Sequence, residues 1–278
     1  MALVTGCGVT GGRMGAGLLE GVGGLGAGQL ALCAAIVFLA AMLRGYTGFG
    51  FALAAVPMLA LVLPPVLVVP LVLCLEIIAS LLILPGLWRE MDLRSVAWLT
   101  LGSLLGVPLG VHGLATLSDA VMRTAIGVVV LVSALAIGAG LRLRRRPRAG
   151  ATVVIGAASG VLGGAAAMAG PPVILFYLGA GTAASVGRAS LMFFFSLVDT
   201  AALGVAATAG LLRWSLLVLI LACLPTLALG QAFGTRLFRS PLQRHYRAVA
   251  VIVLVIISLM ALAQSLPVLL AGQGVPGP

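Results

Sequence analysis

The chain has no lysine, only six acidic residues and two histidines in 278 positions. Charged residues make up 8% of it, against about 25% in a soluble domain. So few charges cannot cover a water-exposed surface, which excludes a soluble catalytic or nucleic-acid-binding domain. The four cysteines (Cys7, Cys33, Cys74, Cys223) lie far apart without a C-x-x-C pair. They read as small packing residues rather than disulfides or metal ligands. The chain lacks H-E-x-x-H, G-x-G-D and any cluster of histidines or acids. An intramembrane enzyme would need such a nucleophile or metal set, so no catalytic residue, metal or cofactor is expected. A nucleotide-binding loop is also missing, which excludes ATP-driven pumping by this chain alone.

What is there is apolar. Hydrophobic residues reach 62% and mean hydropathy is +1.26, so lipid must solvate most of the surface and the chain reads as an all-α polytopic membrane protein. Runs long enough to span occur at 66–87, 96–116, 121–141, 189–211, 214–233 and 248–266. Residues 1–28 are glycine-rich and carry Arg13 and Glu20, without the basic start and apolar run of a cleaved signal. Two regions are apolar but interrupted. R-G-Y-T-G-F-G (44–50) separates arms 30–43 and 51–63, and G-G-A-A-A-M-A-G-P-P (163–172) interrupts 149–181. An arm of about 14 residues rises about 21 Å, less than the roughly 30 Å hydrocarbon core. Such arms predict broken or re-entrant helices meeting near the midplane, where irregular backbone survives only in protein or along a cavity.

Charge orients the chain in the membrane. Five arginines lie in 142–148 and four more at Arg236, Arg239, Arg244 and Arg247; these loops, with 88–95, are expected in the cytoplasm. Both termini then fall outside. Tryptophans 88, 98 and 214 mark interfaces, and His112 and His245 stand alone near helix ends as structural residues. Segments 44–57 and 159–172 superpose at a shift of 115 residues, matching Gly45 with Gly160, Gly48 with Gly163, Ala52 with Ala167 and Pro57 with Pro172. Each copy holds one broken hairpin and three spans, an odd number of crossings, so the second copy is inverted. The expected organisation is a glycine-rich head (1–28), a first repeat (29–141), a cytoplasmic arginine-rich linker (142–150), a second repeat (151–266) and a tail (267–278). Inverted repeats with broken helices are a secondary-transporter architecture.

A helix that starts inside the membrane points free N–H groups into the cavity it faces. At the first break these donors are expected from Gly48, Phe49, Gly50 and Phe51, and at the second from Gly163, Gly164 and Ala165, with Pro171 and Pro172 fixing the arm beyond. Facing each other, they make a cage for an oxyanion; alternatively the glycines serve close helix packing. Arg44 at the break either binds the anion or snorkels to an interface, and Arg188 either neutralises substrate at the inner mouth or serves cytoplasmic retention. Tyr46 and Thr47 bring hydroxyls to the same break. Glu76 and Asp199 each interrupt an apolar span, as proton-coupling residues or as partners of an arginine.

The segments R-G-Y-T-G-F-G-F-A-L-A-A-V-P-M-L-A-L-V-L-P-P (44–65), G-V-L-G-G-A-A-A-M-A-G-P-P (160–172) and G-R-A-S-L-M-F-F-F (187–195) resemble the TauE/SafE sulfite and organosulfonate exporter family, also called the 4-toluenesulfonate uptake permease family. The resemblance runs from about Gln29 to Leu266. It implies an internally duplicated permease for sulfite, sulfonates, taurine-like or other small anions, working by alternating access in a bacterial inner membrane. Expected partners are the small anion and the lipid bilayer, with protons as candidate coupling ion on the strength of Glu76 and Asp199, a homodimer as candidate assembly, and no nucleic acid. An anion channel or a non-transporting membrane subunit is the alternative. The second motif departs from the first in having Gly164 opposite Phe49, so the two half-sites are not chemically equivalent.

Cysteine-accessibility labelling is expected to place residue 145 in the cytoplasm and the C-terminus outside. Finding both on one side of the membrane contradicts the inverted duplication.

Overall fold

The computed structural model describes residues 26–47, 49–83, 90–139, 147–179 and 182–238. Within these residues the regular structure is helical. In chain order the helices are α1 (Ala27–Thr47), α2 (Phe51–Leu59), α3 (Pro65–Ile83), α4 (Leu93–Thr116), α5 (Asp119–Gly138), α6 (Ala149–Ala166), α7 (Gly170–Gly179), α8 (Ala184–Thr208) and α9 (Ser215–Phe238). Helices α1, α3, α4, α6, α8 and α9 are long and apolar enough to cross a membrane. The run expected at 248–266 and most of the glycine-rich head and of the linker at 142–150 lie outside the described residues.

Both interrupted regions are helix pairs, but their arms are unequal. The expected arm 30–43 runs on as α1 for 21 residues, and its return arm α2 has 9. In the second region α6 has 18 residues and α7 has 10. The first arms are longer than expected because what looked like interruptions is compatible with helix. Arg44 is neutralised inside the protein, and the glycines of α6 face a neighbouring backbone.

The molecule is polar at its centre and apolar outside, as lipid solvation requires. Leu105, Leu109, Val154, Leu221, Leu229 and Phe233 are exposed, whereas Arg44 and Asp199 are fully buried. Trp98 and Trp214, in the first turns of α4 and beside the start of α9, are exposed as interfacial tryptophans are.

Lipid offers helices no hydrophobic drive to associate, so close backbone packing must supply it. Two pairs achieve this. On α4, Gly102, Gly106 and Gly110 share one face; a methyl group on each would lie 2.0–2.2 Å from the carbonyl oxygens of Val153, Ala157 and Val161 on α6. In return Gly156, Gly160 and Gly164 of α6 meet the carbonyls of Leu99, Ser103 and Val107. Ser103 Oγ adds a hydrogen bond to the Gly156 carbonyl at 2.8 Å. The α1–α9 pair repeats the device, with Gly230 and Gly234 against the Phe38 and Met42 carbonyls and Gly45 against that of Gln231. In both pairs residue numbers rise together along the contact, so the paired helices run the same way. These are the two most extensive helix contacts among the described residues, and each joins a helix of the first expected repeat to one of the second. Such packing is consistent with an inverted duplication.

At the helix ends, Asp92 caps α4 by accepting from the Ser95 N–H at 3.2 Å, and the Asp92 N–H donates to Ser190 of α8 at 2.8 Å. Arg123 of α5 donates to the carbonyls of Ala60 and Leu63, beside the end of α2. That arginine does structural work at a helix end whose carbonyls lack helical partners.

Gly106→Ala is expected to lower stability by about 1–3 kcal/mol, because its new methyl meets backbone that cannot move aside. Gly204→Ala, with nothing within 4 Å of the added methyl, is expected to cost nothing. Thermal melts in detergent compare them, and equal midpoints would contradict the packing.

Candidate functional site

The two breaks meet at the centre of the protein. After α1 the chain passes Gly50 at φ 92°, a left-handed conformation suited to glycine, and enters α2. In the second region it is Ala167, at φ 55°, that reverses the chain after α6. A side chain in that region is uncommon and marks a constrained turn. Ser159 of α6 steadies it by donating to the Ala169 carbonyl. Gly50, Ala52 and Leu53 from the first break and Ala167, Met168, Ala169 and Gly170 from the second line one cavity, closed by Glu76, Ile174 and Phe195. There is room in it for about one water molecule.

Charge is concentrated beside this cavity. Arg44 Nη1 donates to Glu76 Oε1 at 2.5 Å, and Nη2 donates to Ser80 Oγ at 2.7 Å. Glu76 and Ser80 sit one turn apart on α3, so one guanidinium engages both. The Ala52 backbone N–H, in the first turn of α2, also reaches the Glu76 carboxylate. Asp199 of α8 faces Glu76 within hydrogen-bonding reach. Arg188, in the first turns of α8 and half-buried, lies close enough to interact electrostatically with Arg44. Two guanidinium groups and two carboxyl groups from three helices thus form one charged cluster in an apolar interior. Beyond it, Gln231 Nε2 of α9 donates to the Ala79 carbonyl at 3.2 Å.

Several expected residues converge here: Arg44, Glu76, Asp199 and Gly50 are in the cluster or line the cavity, and Arg188 stands nearby. Tyr46 is buried near the end of α1, whose last residue is Thr47, and Phe49 packs half-buried against the core. Gly48 lies outside the described residues.

The second donor set is displaced from where it was expected. Gly163, Gly164 and Ala165 lie in the last turn of α6, not in the first turn of a new helix. Gly164 packs on the Val107 carbonyl and Gly163 faces Val198 and Ala169, so the glycine-rich stretch permits close contact and the helix ends later. The first turn of the return helix contains Gly170, Pro171 and Pro172, and the prolines have no N–H to offer. Sequence reading missed Met168, Ile174, Phe195 and Ser80. Ser80 had a readable signal, a second polar residue four positions after Glu76 on an apolar helix; the apolar three had none. Among the described residues no three His, Cys, Asp or Glu side chains gather as metal ligands.

Arg44→Met leaves Glu76 buried without its counter-charge and is expected to cost about 3–5 kcal/mol. The double variant Arg44→Met/Glu76→Met should recover most of that loss. A double-mutant cycle of detergent melts measures this, and additive losses would show that the pair is not coupled.

Comparison with known proteins bears on the whole of this arrangement. No curated protein and no solved structure matches the chain. The family model described as sulfite exporter TauE/SafE matches residues 32–261, which include both breaks, Arg44, Glu76, Arg188 and Asp199. Covering most of the sequence and all of the charged cluster, that match places the chain in the sulfite exporter TauE/SafE family.

Proposed function

We propose that the chain is a secondary carrier for a small sulfur oxyanion, sulfite or a sulfonate, working by alternating access in the bacterial cytoplasmic membrane. The observation that carries this reading is the cavity between the two helix breaks with Arg44 and a half-helix N-terminus beside it. A guanidinium and main-chain N–H groups suit the oxygens of such an anion and, in a sulfonate, leave the organic substituent to the side chains of Leu53, Ile174 and Phe195. The donor set of the first break is Arg44, Tyr46, Thr47, Gly48, Phe49 and Gly50. At the second break the donors begin at Gly170, with Gly163, Gly164, Ala165 and Pro171 shaping its approach and Arg188 adding positive charge.

The cavity is smaller than a sulfur atom with three oxygens, so admitting the anion requires the helices to move. That favours a carrier over an open channel. The moving parts are the two inverted repeats, 29–141 and 151–266, joined by the cytoplasmic linker 142–150. Glu76 and Asp199 couple proton movement to the transport cycle, with no metal or organic cofactor involved.

The test is accumulation of labelled sulfite or methanesulfonate by proteoliposomes under an imposed pH gradient. Wild type should accumulate label, and Asp199→Asn should lose accumulation while still exchanging label across the membrane. If no sulfur oxyanion enters, the substrate reading fails. Unchanged pH dependence in the variant would make Asp199 structural.

A further inference from the structure

The Glu76 carboxylate occupies the position that suits an incoming oxyanion. It accepts from Arg44 at 2.5 Å and from the Ala52 N–H, and it lines the cavity together with Gly50, Ala52 and Leu53. Ala52 is in the first turn of α2, where N–H groups have no acceptor within the helix. A guanidinium beside a helix N-terminus is a donor set for any small oxyanion, and here the chain supplies one itself.

A pair serving only to neutralise charge would have its polar atoms satisfied, and this cluster does not. Both Asp199 oxygens are buried and accept from no described donor, and the buried Arg44 Nε has no described acceptor. What faces Asp199 is the Glu76 carboxyl. Two carboxyl groups in hydrogen-bonding reach of one another hold together when a proton lies between them and repel without it. Asp199 is therefore a second place for the Glu76 carboxyl to bond once it leaves Arg44.

We propose that Glu76 is a tethered occupant of the anion site, displaced when a proton transfers its carboxyl from Arg44 and the α2 N-terminus to Asp199, so that the substrate anion takes the vacated donors. This rests on the reading of the cavity as an anion site. Charge balances across the exchange. With Glu76 in place, the carboxyl pair holds one proton and one negative charge, set against Arg44. A second proton makes the pair neutral, and a monoanion then supplies the negative charge that Arg44 requires. One proton therefore enters the site with each monoanion. The charged groups acting on Glu76 are Arg44 from α1 and Asp199 from α8, with Arg188 of α8 acting through Arg44. Helix α2 contributes backbone and α9 the neutral Gln231, while no charged group of α4, α5 or α6 acts on it among the described residues.

The experiment uses the full chain in detergent, with Glu76→Ala melted in the presence of sulfite, methanesulfonate or formate. The variant should melt below wild type and be restored saturably by free anion. Its apparent affinity should exceed that of wild type by roughly tenfold, the order of one charge-assisted hydrogen bond. Restoration by formate but by no sulfur oxyanion upholds the tethered occupant and overturns the substrate reading. Equal stabilisation of wild type and variant by sulfite does the reverse, and failure of every anion to restore the variant overturns the proposal. Glu76→Gln guards against a variant that does not fold. Wild-type affinity for methanesulfonate, whose charge is constant from mildly acidic to mildly alkaline pH, should weaken by about tenfold per pH unit at the steepest point, as one linked proton requires. Glu76→Gln should lose that dependence; retaining it overturns the proposal.

Discussion

A guanidinium with no exposure to solvent, in a protein whose exterior is lipid, governs this structure. Arg44 cannot reach water, and an unpaired charge at that depth is too costly to persist. Its compensation must come from within the helix bundle, and the structure provides it through Glu76 and Ser80 of α3. Three consequences follow. Helix α1 continues through the arginine to Thr47, the break falls at Gly50 beside the paired carboxylate, and α2 starts with its first N–H groups facing that carboxylate. The ion pair and the helix break are one construction.

The rest of the bundle is built so that this construction can be central. Because lipid does not drive helices together, the chain relies on glycine to bring backbones into contact. The α4–α6 and α1–α9 pairs are glued along such faces, each joining a helix of one half of the chain to a helix of the other. The short arms α2 and α7, each packed on the first arm of its own hairpin, meet at the cavity, and α3 and α8 bring the carboxyl groups between them. The charged cluster sits where those parts meet.

The two breaks do different chemistry despite their related sequences. The first offers N–H donors, a left-handed glycine and an arginine; the second offers a constrained alanine, two prolines without N–H groups and an apolar wall.

Composition and periodicity by themselves determined the membrane class, the all-helical make-up and the existence of both interruptions, because lipid imposes a length and polarity on every crossing; how far α1 and α6 run before they break was decided by tertiary packing. They also singled out Arg44, Glu76 and Asp199, since a charge in an apolar run is conspicuous. Tertiary structure alone decided which partner each charge has, because Arg44 and Glu76 are 32 positions apart and no local pattern encodes their contact. It also decided the role of Gly164. A glycine at a turn and a glycine at a helix contact look the same in sequence; the difference is whether another backbone, here that of α4, passes within reach of the missing side chain. The apolar wall of Met168, Ile174 and Phe195 was likewise invisible, for in a chain made mostly of such residues a cavity is marked by how helices pack, not by which residues they contain.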